Sequence, residues 1–197
     1  MSVAEILASP RWRDVAEVIA VALAIVYLVL AIRENVFCWL AAFLSSAIYL
    51  AVFFAARLYM ESVLQIFYAA MAVYGYRQWR YGGVEHGGVA ITTWTFRRHA
   101  LALGIIAFAS LALGELMSRT NAAFPHVDAF TTSGAIVTTY MVARKILENW
   151  LYWFVIDGVS VFLYMARDLN FTAALFVLYL VLIVIGFMRW WREWRAS

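Results

Sequence analysis

Apolar residues follow one another in stretches long enough to cross a bilayer, and no other feature constrains the fold as much. A membrane-spanning helix needs roughly 20 mostly apolar residues. In lipid the backbone must satisfy its own hydrogen bonds, so only helices or closed barrels can span. Runs this long and continuous imply helices. The pattern predicts seven spans, at about 14–33, 36–56, 61–79, 98–118, 127–147, 148–167 and 172–190. The breaks between them are short and charged, as at Arg33-Glu34 and Arg144-Lys145. The longest polar connection runs from Arg80 to Arg97, with glycine pairs on both sides of Glu85-His86, and reads as a flexible linker.

Composition agrees. Of 197 residues, 66% are hydrophobic and 14% charged, with mean hydropathy +0.82. Ordinary soluble domains are about a quarter charged. The expectation is one all-α polytopic membrane domain with little mass outside the bilayer. Arg11 and Arg13 precede the first apolar stretch, which is too long for a signal-peptide core and has no clear cleavage site, so it reads as the first helix. Cys38 is the only cysteine, which excludes an internal disulfide and a cysteine-based metal site. The basic residues sit mainly at span ends, with neither a nucleic-acid surface nor a polybasic lipid patch. With the N-terminus outside, ten basic residues face the cytoplasm (Arg33, Arg77, Arg80, Arg97, Arg98, Arg144, Lys145, Arg189, Arg192, Arg195) and five face out. The positive-inside rule therefore places the C-terminus in the cytoplasm.

The sequence also repeats. Glu34-Asn35 and Trp39 recur as Glu148-Asn149 and Trp153, while Gly75 and Trp79 recur, in a slightly shorter register, as Gly186 and Trp190. The order implies three spans, a linker span and three spans: repeat 1 at about 14–79, a linker helix at 98–118 and repeat 2 at 127–191. Because one span separates them, the halves enter the membrane in the same direction. Transporters built on such parallel repeats bind substrate near the midplane.

Trp150, Trp153 and Asp157 share one face of the sixth span, at i, i+3 and i+7. Two indoles and a deeper carboxylate suit a flat cationic ring, attracted by the aromatic faces and by the charge. Trp150 also fits an interfacial aromatic belt. Trp153 lies deeper, and its expected repeat partner Trp39 shares its role. A carboxylate at Asp157 costs roughly 2.5–3.5 kcal/mol on the insertion scale, with no basic residue at its depth in any span. It lines a path or is a buried structural acid. On span 3, Gln65 and Tyr68 are neighbours at i, i+3; the amide suits a carboxamide or sugar hydroxyls, or an interhelical hydrogen bond. Ser45, Ser46 and Tyr49 on span 2 are weaker candidates, and the span-5 threonines read as packing residues. Asn35 and Asn149, beside Glu34 and Glu148, read as helix caps. His99 and His126 stand isolated near span ends. No nucleotide-binding or metalloprotease motif is present, and an intramembrane enzyme would need a second acid or nucleophile at the depth of Asp157; Glu115 and Asp128 lie too near span ends. A non-transporting scaffold would need the acid to face only helix contacts.

The stretch Arg144-Lys145-Ile146-Leu147-Glu148-Asn149-Trp150-Leu151-Tyr152-Trp153 resembles the signature of the PnuC family of vitamin-precursor transporters, a basic pair followed by Glu-Asn-Trp-x-x-Trp. Glu17, Leu64-Gln65 and Tyr74-Gly75 before Trp79 fit the same pattern. The resemblance implies a SWEET-like arrangement of three, one and three helices in a bacterial inner membrane. It implies facilitated diffusion of nicotinamide riboside without a cofactor or metal, a cytoplasmic kinase trapping the substrate, and a homo-oligomer, with a trimer one such form. Carried over residue by residue, the substrate contacts are Trp150, Trp153, Asp157 and Gln65, with Tyr68, Trp39, Tyr49 and Asn149 around them. Some members have Asn at the position of Asp157. Relatives in the wider family take thiamine, riboflavin or deoxynucleosides; the acid at Asp157 suits a cationic ring, which makes a thiamine carrier the alternative ahead of the neutral ligands.

Overall fold

The computed structural model describes residues 10–55, 59–83, 87–119, 124–166 and 170–196. Those residues form seven helices: α1 Pro10–Ile32, α2 Cys38–Ala55, α3 Tyr59–Tyr81, α4 Phe96–Ser118, α5 Pro125–Ala143, α6 Asn149–Met165 and α7 Asn170–Ala196. Each predicted span has its helix. The largest differences are at three ends: α1 starts at Pro10, ahead of 14, α5 stops at Ala143, short of 147, and α7 runs on past 190.

Among the described residues, α1, α2, α4 and α7 are long and apolar enough to cross a membrane by themselves. The other three carry the polar side chains or fall short in length. Helix α3 holds Gln65, α5 holds a row of serine and threonine, and α6, with Asp157, has 17 residues. Several of those polar groups are covered by protein. In α5, Thr138 and Thr139 are buried, and each hydroxyl donates to the carbonyl one turn back, Gly134 (2.8 Å) and Ala135 (2.7 Å). This is the packing role expected for them. In contrast α4 exposes Phe96, Leu101, Phe108 and Leu111, the surface that suits lipid.

The chain divides into two compact units, one ending at Val89 and one beginning at Ala90. In the first, α1 packs on α2 and α2 on α3. The Ser45 hydroxyl donates to the Ala20 carbonyl (2.9 Å), tying α2 to α1. In the second, α4, α5, α6 and α7 pack in sequence, so the linker helix belongs structurally with the second repeat.

The repeat is real, but its register differs from the expected one. A left-handed residue follows the end of each matching helix, Glu34 (φ 54°) after α1 and Lys145 (φ 49°) after α5. Around each the same two hydrogen bonds close a Schellman turn. Asn35 N–H donates to Leu30 O and Glu34 N–H to Ala31 O; Ile146 N–H donates to Met141 O and Lys145 N–H to Val142 O. Helices α2 and α6 then start at Cys38 and Asn149. Every one of these pairs keeps the spacing that separates Gly75 from Gly186. Thus Trp39 corresponds to Trp150, not Trp153, and Glu34 to Lys145, not Glu148. The longer spacing pairs like residues that stand at different points of the two turns. A slip of three is close to one helical turn, so it moves a residue along a helix without clearly changing its face.

The connection before α4 also departs from the flexible linker expected. Val84, Glu85 and His86 lie outside the described residues, but the segment after them is pinned. Thr92 N–H donates to Lys145 O (3.0 Å) and Leu147 N–H to Thr92 O (2.8 Å), forming a parallel bridge between Thr92 and Ile146.

Candidate substrate site

Helix α6 carries most of the candidate residues, and its first turn is unusual. Glu148 sits at the N-cap but its side chain caps nothing in α6. It turns to the segment before α4, accepting from the Trp94 N–H (3.3 Å) and facing His99 Nε2 (3.6 Å). His99 Nδ1 lies 3.0 Å from the Tyr152 hydroxyl, and the two rings stack with centroids 5.8 Å apart. His99 is therefore not isolated, as the sequence implied. It is the hub of a Trp94–His99–Glu148–Tyr152 cluster joining α4 to α6. No local pattern announces this cluster, because most of α4 and all of α5 intervene between His99 and Glu148. His126 is likewise packed, against Gly114.

Asn149 is fully buried, and its Nδ2 donates backwards to the Ile146 carbonyl (2.6 Å) rather than capping forwards. Its Oδ1 has no hydrogen-bond partner among the described residues. Asn35 does meet an early amide: its Oδ1 accepts from Phe37 N–H (3.0 Å), just before α2.

The next residue, Trp150, is 2% exposed. Its ring lies on Gly186, where any Cβ would overlap it, and meets Trp190 edge-on at 5.3 Å and 89°. The first unit builds the same device: Trp39, also 2% exposed, lies on Gly75 and meets Trp79 edge-on at 5.6 Å and 89°. Both indoles are thus committed to holding helices together. Both also leave their buried N–H groups without an acceptor among the described residues.

Trp153, one turn further, is half-buried and makes no ring contact among the described residues. Asp157 is 6% exposed and has neither an ion pair nor a hydrogen bond among the described residues. A buried carboxylate in such surroundings needs a counter-charge, a proton or water. At the matching position of the first unit stands Ser46, also buried. Within that unit, Gln65 and Tyr68 are half-buried on α3, Tyr68 lying edge-on to Phe67 (5.5 Å), while Tyr49 stacks on Phe53 (5.3 Å). Tyr27, unnoticed in the sequence, packs on Trp39 at 5.9 Å. Among the described residues no group of His, Cys, Asp and Glu could hold a metal ion.

The family model described as nicotinamide mononucleotide transporter matches residues 14–192. The chain belongs to this family. Its membership in the PnuC transporters extends across all seven helices. A riboflavin/roseoflavin transporter, RibM of Streptomyces davaonensis, is 28% identical over 179 residues, covering 89% of this chain and 84% of that one. The nicotinamide riboside transporter PnuC of Escherichia coli is 23% identical over 166 residues, with 71% and 69% covered. The crystal structure of a vitamin B3 transporter PnuC superposes with a TM-score of 0.71 at 20% identity, covering 90% of this chain and 81% of that one. The PnuC-family chain is accordingly a multi-pass membrane transporter, and family and fold are those of transporters rather than enzymes.

Proposed function

We propose that the chain carries nicotinamide riboside down its gradient into the cell, with Asp157 as the counter-charge to the cationic pyridinium ring. The observation behind this reading is the buried Asp157, unpaired among the described residues and one turn from the ring of Trp153. A cation brought to that carboxylate offsets its desolvation, and an indole face adds cation–π attraction. In this reading the membrane is the bacterial inner membrane, the N-terminus lies outside, and a cytoplasmic kinase traps the product. The transporter assembles as a homo-oligomer.

Riboflavin is the second reading, favoured by the 28% identity to RibM. Its ring system is flat but uncharged, so it would use Trp153 for stacking and gain little from a charge at Asp157. The test is uptake of labelled nicotinamide riboside, thiamine and riboflavin into proteoliposomes, by the native chain and by Asp157→Asn. Nicotinamide riboside uptake that Asp157→Asn abolishes supports the first reading. Riboflavin uptake that survives the substitution replaces it with the second.

A further inference from the structure

The sequence has no polybasic run, yet the fold brings two distant arginines into one cleft. Arg98 in the first turn of α4 and Arg144 just past the end of α5 line a polar hollow of about 340 Å³ with Tyr140, Trp94, Thr92 and Ile146. The two backbones are fixed to each other there by the Thr92 bridge to Lys145 and Leu147. Both helix ends belong to the same unit and lie at the same membrane face, the one to which the arginine count assigns the cytoplasm.

The start of α4 gives an independent reason for an anion here. Helix N-termini carry partial positive charge and unsatisfied N–H groups, normally met by a capping side chain or an acidic first turn. Helix α4 has neither: Thr95 makes no side-chain cap, the first turn holds no acid, and two arginines stand there instead. The acid near this segment, Glu148, is engaged by the Trp94 N–H and by His99. Positive side chains on a positive helix end are unfavourable unless something negative joins them. Guanidinium forks match the oxygens of a phosphate, and Trp and Tyr are the aromatic residues suited to headgroup depth.

We propose that this cleft binds a phosphate group, which clamps the start of α4 to the end of α5. The phosphate of an anionic phospholipid and free inorganic phosphate share this chemistry. The experiment separates them. Full-length protein in phosphatidylcholine nanodiscs is melted with phosphatidylglycerol added to the bilayer, or with inorganic phosphate added to the buffer. Arg98→Gln/Arg144→Gln is compared with Arg189→Gln/Arg192→Gln, which removes two charges from the end of α7. Phosphatidylglycerol should raise the melting temperature of the native chain and of the α7 variant, and leave the cleft variant nearly unmoved. Its affinity for the cleft variant should fall roughly tenfold or more, the loss expected on removing charge-assisted contacts. Arg98→Lys/Arg144→Lys should retain part of the response, since lysine keeps the charge but not the fork. A shift produced by inorganic phosphate alone, abolished in the cleft variant, would make the ligand soluble rather than lipid. Equal responses in both glutamine variants, or no response to either anion, would overturn the site. Should the cleft variant not fold, native mass spectrometry of the unmodified protein decides: retention of phosphatidylglycerol no better than phosphatidylcholine overturns it.

Discussion

Two tryptophans on successive turns of α6 face different duties, and substitution should separate them. Trp150 is a core side chain wedged on Gly186, so Trp150→Ala leaves a large cavity and should cost about 3–5 kcal/mol of stability. Trp153 is half-buried and makes no ring contact among the described residues, so it has less packing to lose. In the proposed reading Trp153→Ala should instead weaken substrate binding by roughly 1–3 kcal/mol, by analogy with base–aromatic stacking. Thermal melts and calorimetric affinities on both variants check this; an unchanged affinity for Trp153→Ala would remove it from the site. The glycines under the paired indoles are as telling. Gly75→Ala and Gly186→Ala each push a methyl into a ring, and each should destabilise by about 1–3 kcal/mol, the usual cost of overpacking. A melt in which either alanine is neutral would mean the helices can part there freely.

At the scale of elements, the turn into α6 is held by a side chain that caps nothing in its own helix. Glu148→Gln removes the charge that faces His99 while keeping a side chain able to accept from the Trp94 amide. Hydrogen exchange at Trp94 and through the first turn of α4 should quicken, by roughly tenfold if a charge-assisted bond is weakened; unchanged protection would show that the Thr92 bridge alone holds the segment. This docking was not legible in the sequence. A glycine-flanked polar stretch looks the same whether it dangles or pairs, and the partners of Thr92 lie two helices further on, at Lys145 and Leu147. Four of the seven helices were legible because lipid imposes length and apolarity on them, and the other three because charged breaks bound their shorter or more polar runs. The carboxylate of Asp157 was legible for the same reason, since it breaks the rule. The repeat was half legible: Gly75-Trp79 and Gly186-Trp190 were matched correctly, but Glu-Asn recurs almost one helical turn out of step. The left-handed residues at Glu34 and Lys145, which no letter announces, fix the register of that stretch.

For the whole molecule the question is what drives transport. As a uniporter with Asp157 permanently charged, the chain should move a cation along its own gradient and the membrane potential, worth about 2.3 kcal/mol per 100 mV. With equal substrate on both sides of a proteoliposome and the potential clamped at zero, a pH step should then produce no net flux. Accumulation driven by that step alone would make Asp157 a proton carrier. Tags in the loop before α4 and at the C-terminus should both report cytoplasm; a periplasmic signal from either would mean a miscounted span. No insertion separates the matched positions from Glu34 through Trp79 and from Lys145 through Trp190, so the two halves have the same length between these points. What diverged is the chemistry. The counterparts of Trp153 and Asp157 on α2 are Ala42 and Ser46, small and uncharged. Both halves hold the same tryptophan-on-glycine joint, and at these positions the second alone carries the aromatic and the acid. In the proposed reading α2 serves as frame and α6 as instrument, so substitutions that change substrate choice should concentrate on α6 rather than on α2.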